Sequence, residues 1–232
     1  MSRAQRLTRW LAGFVPAPLN VSWRERVLGC VGAGLGILGA AWLSHRLLAG
    51  FDPWFIAPMG ASAVLVFAAP ASPLAQPWSL VCGNVVSAFV GVACALGVGD
   101  LAFAAGLAVA GAIAAMFALR CLHPPGGAVA LTAVLGGPAI HALGVRFVLW
   151  PVAIDSLLLL LGALLFNVSM RRRYPHVAHG HVQPAHAAPL GLTMADLHAA
   201  LRTHGELLDV SEDDLEELFL QAEDIARKRA AT

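Results

Sequence analysis

Long apolar stretches alternate with short polar breaks over most of this chain. Six apolar segments can be marked, at about 27–48, 54–69, 78–98, 101–119, 124–140 and 147–169. The first, third, fourth and sixth hold 22, 21, 19 and 23 residues, enough for a helix to cross a ~30 Å hydrocarbon core. The second and fifth hold only 16 and 17 residues, which predicts marginal spans or re-entrant half-helices. We therefore predict an all-α integral membrane protein with about six hydrophobic segments.

The two short segments resemble each other. One contains the run from Pro58 to Leu65 and the other the run from Pro124 to Leu131; each opens with Pro and Gly and continues with small residues. Short segments broken by Gly and Pro at corresponding positions of two halves are typical of a transporter binding site. The pattern predicts two inverted three-segment repeats, and the alternative is a chance likeness of two short runs.

Composition supports the membrane prediction. Hydrophobic residues make up 58% of the 232 residues and charged residues 12%, about half of the ~25% found in soluble domains. Only six of the 29 charged side chains fall between residues 27 and 170. A soluble fold of that size needs more charge on its surface, and a formal net charge of +1 gives no basic surface for nucleic acid. Disorder and a disulfide-rich secreted domain are excluded by the same composition.

Arginine placement predicts the orientation. Five arginines precede the first apolar segment, and Arg171, Arg172 and Arg173 follow the last one. Because positive residues favour the cytoplasmic side, both termini are expected there, which requires an even number of crossings. Six crossings fit the arginine count slightly better, and four crossings with two re-entrant hairpins stay open.

The polar flanks divide the chain into further regions. We predict a cytoplasmic amphipathic arm at the N-terminus, a transmembrane domain, a basic and His-rich linker, and a cytoplasmic pair of helices near 193–204 and 211–229, with bounds of 1–26, 27–170, 171–188 and 189–232. Capping-box pairs open both predicted tail helices. The tail is too small to bury a core of its own, so it is expected to pack on another surface.

The run from Arg120 to Ala128 carries the strongest candidate chemistry. Pro124 and Pro125 suit the first turn of a helix, and Gly126 and Gly127 leave the backbone accessible. Free N–H groups and the positive dipole end of such a helix favour a small anion. Arg120 and His123 add side-chain donors at the same end. The alternative is a break between two membrane helices at which His123 is only a structural cap.

Polar residues within the other segments extend this set. Gly60, Ala61 and Ser62 would present donors at the start of the other short helix, and Asn84 lies within the third segment. Asp155 lies within the sixth, where a carboxylate indicates function by default. His123 and Asp155 are therefore candidate proton-relay residues, and the alternative roles of Asp155 are to pair with an arginine or to pack helices.

The sequence gives no indication of an enzyme or of a bound metal or cofactor. It contains no HExxH or GxSxG motif and no paired His and carboxylate at ligand spacing. The four cysteines form no CxxC pair and are expected to be small buried hydrophobes.

The sequence resembles the HPP family of integral membrane proteins. The run from His123 to Ala128 matches the defining motif of that family, and the runs 58–63 and 72–77 match two further stretches. Gly83 and Asn84, followed by Ser87 and Gly91, are also similar to the family. The resemblance covers about residues 25–170.

The resemblance implies a membrane transporter. Because some members of the family are associated with nitrite transport, it also implies a small anion as substrate. We expect the anion to contact residues at the starts of the two short helices and beside them, namely Gly60, Ala61, Ser62, Asn84, Arg120, His123, Gly126, Gly127 and Ala128. The alternatives are an anion channel and a membrane anchor without transport activity. The resemblance further implies a homo-oligomer in the inner membrane of a bacterium. The tail at 189–229 resembles the segment that precedes paired CBS domains in many bacterial members, and two alternatives stay open: the sequence is cut before such domains, or this member lacks them.

Overall fold

The computed structural model describes residues 22–50 and 53–176, together with residues 11, 14, 199, 203, 210, 214, 215 and 217–222. Most of the predicted arm and tail thus lies outside the described residues. Residues 199, 203, 214, 215 and 217–222 are helical and fall within the two helices predicted for the tail, whose bounds stay a prediction. Residues 22–176 form the helical domain described below.

Seven α-helices follow one another along residues 22–176: α1 (Trp23–Leu47), α2 (Pro58–Ala63), α3 (Pro77–Gly97), α4 (Leu101–Ala118), α5 (Pro125–Leu135), α6 (Gly137–Leu143) and α7 (Ile154–Ser169). A π-helical turn, Val64–Ala68, prolongs α2, and a second one, Val148–Ala153, leads into α7. A 3-10 turn, Pro73–Ala75, precedes α3. The described residues contain no β-strand, so the all-α prediction is confirmed. Helix α1 begins four residues before the predicted start at 27, because Ser22 caps it by accepting a hydrogen bond from the Glu25 N–H.

Within residues 22–176, four helices are long and apolar enough to cross a membrane. They are α1, α3, α4 and the helix formed by α7 with the turn before it, with 25, 21, 18 and 22 residues. Their outward side chains are apolar; Leu38 and Phe103, for example, are both 66% exposed. An exposed apolar surface on a helix of this length fits lipid rather than water. The bent pair α5 and α6 is a fifth candidate span.

The two short segments form half-length helices. Helix α2 with its π-helical turn covers Pro58–Ala68, and α5 has 11 residues. At 1.5 Å per residue each reaches roughly 16 Å, about half of the hydrocarbon thickness. The fifth apolar segment is not one straight helix, because a 97° bend separates α5 from α6. Gly137 in this bend has a φ of +78°, a backbone conformation that favours glycine.

Each of the two short helices packs along a long helix of the bundle. A Cβ added to Gly29 would lie 3.2 Å from the Ala68 Cα, and the Ser44 hydroxyl donates to the Trp54 carbonyl at 2.6 Å. The segment 54–68 therefore runs antiparallel to α1, from the end near Ser44, called here the Ser44 end, to the opposite end, called the Glu25 end.

The second short helix keeps an analogous course beside α3. Gly83 lies against His123, and Gly91 lies against Ala130. Helix α5 therefore runs parallel to α3, away from the Glu25 end, and opposite to α2. This opposite direction is what inverted repeats would produce. The repeat itself and a six-crossing topology stay predictions.

Arg172 joins three segments at the Glu25 end. Its Nη2 lies 2.9 Å from the Glu25 Oε2 in α1, and its Nη1 donates to the Phe67 carbonyl at 2.7 Å. Phe67 lies at the C-terminal end of the first short helix, where a positive charge is favourable because helix dipoles leave unsatisfied carbonyls there. Tyr174 donates its hydroxyl to the Ala75 carbonyl at 3.0 Å. The basic end of the last span therefore fixes the first short helix.

Candidate functional site

A set of buried polar side chains lies where the starts of the two short helices meet. Ser62 comes from α2, Asn84 from α3, His123 from the turn before α5 and Ser156 from α7, and all four side chains are 0% exposed. We call these four residues the central polar cluster. Polar side chains buried among apolar helices are costly unless they bond to one another.

Glycines allow the approach of α5 to α3. A Cβ at Gly83 would lie 2.6 Å from the His123 Cβ and 2.7 Å from the Cys121 carbonyl oxygen. A Cβ at Gly126 would lie 2.6 Å from the Ser87 Oγ. Larger side chains at either position would separate the two helices, so these glycines bring His123 next to the side chains of α3.

One backbone carbonyl sets the direction of the hydrogen bonds in the cluster. The Leu74 carbonyl oxygen lies 2.9 Å from the His123 Nδ1, and because a carbonyl only accepts, Nδ1 carries a hydrogen. In a neutral imidazole Nε2 is then an acceptor. It lies 2.9 Å from the Ser62 Oγ, so the Ser62 hydroxyl donates to it.

The bonds continue through Asn84. Because the Ser62 hydrogen is used by His123, the Ser62 oxygen accepts from the Asn84 Nδ2 at 3.4 Å. The Asn84 Nδ2 also donates to the Ser156 Oγ at 3.1 Å. Both hydrogens of the amide are thus directed at serine oxygens, and the amide oxygen points elsewhere.

Two buried atoms, one in the cluster and one beside it, have no hydrogen-bond partner within the described part of the chain. They are the Asn84 Oδ1 and the Ser87 Oγ, three residues apart and thus on one face of α3. An unpaired buried polar atom costs about 1–3 kcal/mol, so it calls for an explanation such as a bound water or ion or a functional role. Ser87, on the α3 face that meets the start of α5, extends the candidate site beyond the cluster.

The predicted site residues fall into two groups. Ser62, Asn84 and His123 are brought together as predicted, and Gly126 is buried against Ser87. Gly127 is half-buried, and a Cβ added to it would meet no atom within 4 Å. The remaining predicted residues are exposed at the surface of the bundle: Gly60, Ala61, Arg120 and Ala128.

Several of the predicted backbone donors already have partners. The Gly60 N–H donates to the Ala57 carbonyl at 3.0 Å, the Gly126 N–H to His123 at 2.8 Å and the Gly127 N–H to Pro124 at 3.1 Å. The residues before each helix thus provide tight turns that use the N–H groups expected to be free. In the described conformation side chains rather than backbone N–H groups supply the polar atoms of the site.

Asp155 belongs to a separate buried network. Its Oδ1 lies 2.6 Å from the Ser44 Oγ and shares the single hydroxyl hydrogen with the Trp54 carbonyl, and its Oδ2 accepts from the Ile56 N–H at 3.1 Å. Asp155 therefore fixes the irregular segment that leads into α2 at the Ser44 end. It precedes Ser156 in α7, but the described hydrogen bonds do not connect Asp155 to His123.

Sequence reasoning missed Ser87 and Ser156 as site residues. Ser87 follows Asn84 by three residues, so helical periodicity places both on one face. Ser156 follows Asp155 directly, and the sequence pattern singled out the intramembrane carboxylate but gave no separate signal for the serine. The acceptor role of the Leu74 carbonyl has no signal in the sequence, because any residue carries one.

Comparison with known proteins identifies relatives. Residues 18–175 match the family described as HPP, transmembrane region. A Dictyostelium discoideum transmembrane protein is 37% identical over 177 residues, which cover 74% of this chain and 56% of that relative. A second transmembrane protein from the same organism is 41% identical over 125 residues, 52% of this chain and 44% of the relative. The chain thus spans about half the length of these relatives. No solved structure matches it.

The family match covers all seven helices and every residue of the central polar cluster. It extends over more than half of the chain and agrees with the apolar surfaces of the long helices. This protein therefore belongs to the HPP family of integral membrane proteins.

Proposed function

We propose that this protein transports a small monovalent anion, nitrite, across the membrane through the central polar cluster and the adjacent Ser87. The observation that carries the proposal is the buried Ser87 hydroxyl, a possible donor to an anion that has no hydrogen-bond partner among the described residues and lies against Gly126 at the start of a half-length helix. Irregular backbone at membrane depth is tolerated where it is buried in protein or lines a cavity, and a membrane anchor has no need for it.

Burial of the cluster supports a carrier rather than an open channel. Its four side chains are 0% exposed, so the described residues enclose the cluster in this conformation. An anion reaches Ser87 only when the short helices move relative to α3 and α7, as alternating access requires. The small side chains where α5 meets α3 suit such a movement because they present few interlocking surfaces.

In the orientation that we propose for the protein in the membrane, the Glu25 end faces the cytoplasm. Arg172 and its neighbours 171 and 173 lie at this end, together with Arg24 and Arg26 at the start of α1, in agreement with the tendency of positive residues to stay inside. The bacterial inner membrane and a homo-oligomeric assembly belong to the same proposal.

Flux into proteoliposomes tests the function directly. Nitrite uptake is compared with uptake of nitrate, formate and chloride, and Ser87→Ala is compared with Ser169→Ala, which removes an exposed hydroxyl of α7. Ser87→Ala loses one hydrogen bond to the anion, which is worth about 1.5 kcal/mol. We therefore expect this variant to take up nitrite roughly tenfold more slowly than the wild type. Ser169→Ala retains the wild-type rate. If none of the four anions were taken up, the result would favour a membrane anchor without transport activity. Equal uptake rates for the two variants would show that the anion does not bind at Ser87.

A further inference from the structure

We infer that His123 and Asn84 form a proton-controlled switch that turns the Asn84 amide and so couples binding of one anion to uptake of one proton. The inference rests on the proposed function and specifies how the same site selects its substrate. It starts from the bond directions imposed by the Leu74 carbonyl, which leave the Asn84 Oδ1 unpartnered.

With His123 neutral, the site presents an acceptor. The Asn84 Nδ2 hydrogens are used by Ser62 and Ser156, so the partial negative charge of Oδ1 is the unpaired part of the amide. An anion placed beside Asn84 would be repelled, because an amide oxygen has no hydrogen to donate. This state suits a water molecule or another hydrogen-bond donor.

Protonation of His123 reverses the order of the bonds. Nδ1 keeps its bond to Leu74, and Nε2 now donates to the Ser62 oxygen. The Ser62 hydroxyl hydrogen is released and needs an acceptor, which the Asn84 Oδ1 supplies when the amide turns by half a rotation. Amide oxygen and nitrogen are nearly equal in size, so the turn needs no repacking.

The turned amide gives the site the chemistry of an anion site. The Asn84 N–H groups replace the unpaired oxygen and join the Ser87 hydroxyl as donors, while the imidazolium supplies one positive charge. Charges attract strongly in a medium of low dielectric constant, and a paired proton and anion add no net charge to the buried site. Transport by this route is electroneutral, with one proton carried per anion.

Neighbouring titratable groups leave His123 as the proton acceptor. The surrounding elements contribute the thiols of Cys82 and Cys121, the Tyr174 hydroxyl and the Asp155 carboxyl, and α2 contributes none. Tyr174 donates to the Ala75 carbonyl, and burial raises the pKa of its hydroxyl, so it stays neutral. The Asp155 carboxyl bonds to Ser44 and Ile56, outside the described hydrogen bonds that connect His123 with Asn84.

Calorimetry of the 232-residue chain in detergent, with sodium nitrite as the probe, tests the switch. Titrations in buffers of different ionisation enthalpy give the protons taken up per nitrite, and we expect about one. The nitrite Kd rises about tenfold per pH unit wherever His123 is neutral in the empty site, as linkage of one proton requires.

Matched variants separate the switch from the anion site. His123→Gln keeps a side-chain amide but cannot titrate, so proton uptake and the pH dependence of Kd disappear. Ser87→Ala weakens nitrite binding roughly tenfold and keeps both. His141→Gln, which changes an exposed histidine of α6, behaves as the wild type.

The outcomes are distinguishable. Nitrite binding to the wild type without proton uptake, or an unchanged pH slope in His123→Gln, overturns the switch and leaves the anion site in place. If nitrite, nitrate, formate and chloride all fail to bind and to cross liposome membranes, the switch and the proposed function are both wrong. The wild-type measurement decides the question even if a variant does not fold.

Discussion

The two adjacent glycines of α5 are expected to respond in opposite ways to the same change. In Gly126→Ala the new methyl carbon lies 2.6 Å from the Ser87 Oγ and 3.1 Å from both the Gly83 carbonyl oxygen and the Met116 Sδ. In Gly127→Ala it meets no atom within 4 Å. The pair thus compares identical chemistry at neighbouring positions of one helix.

The expected magnitudes follow from two terms. Replacing Gly by Ala within a helix stabilises the folded state by about 0.5–1 kcal/mol. Crowding of a packed interface costs about 1–3 kcal/mol, and only position 126 incurs it. We expect Gly126→Ala to lower the free energy of unfolding by about 1–2 kcal/mol and Gly127→Ala to raise it by about 0.5–1 kcal/mol.

Thermal unfolding in detergent, followed with a thiol-reactive dye, measures the difference. Using about 2–4 °C per kcal/mol, we expect the midpoint of Gly126→Ala to fall and that of Gly127→Ala to rise by a few degrees. Nitrite uptake should fall in Gly126→Ala because the methyl group lies against Ser87. Equal midpoints for both variants, or a more stable Gly126→Ala, would refute the packing of α5 against α3 on which the site depends.

Three further predictions concern other parts of the fold. Asp155→Ala removes the acceptor of the Ile56 N–H and one of the two acceptors that share the Ser44 hydroxyl hydrogen. We expect the free energy of unfolding to fall by about 1–3 kcal/mol in the same assay, and an unchanged midpoint would show that this network does not hold the start of α2. Arg172→Gln loses the Glu25 ion pair and the charged hydrogen bond to the Phe67 carbonyl, so we expect the free energy of unfolding to fall by about 1.5–3 kcal/mol. Arg173→Gln changes an exposed arginine and is the control. A single cysteine introduced at position 180 should be labelled only by membrane-permeant maleimide in whole cells, and labelling by an impermeant reagent would contradict cytoplasmic termini.

The sequence by itself determined the membrane environment, the helical class and the family. Low charge over residues 27–170 and the lengths of four apolar segments have direct physical meaning, since a bilayer selects for both. Pro58 and Pro125 mark the starts of α2 and α5, because proline is tolerated where a helix needs no N–H bond. These signals are local, and local signals survive in any tertiary context.

Only the tertiary structure decided which polar residues meet. Gly60, Ala61 and Ser62 are adjacent in sequence, but rotation of α2 about its axis buries Ser62 and exposes the other two, and packing against α3 and α7 sets that rotation. The Leu74 carbonyl and Ser156 join the cluster from distant segments without a motif of their own. The Gly60, Gly126 and Gly127 N–H groups bond to carbonyls three residues before them, because such turns satisfy donors that the start of a helix otherwise leaves free.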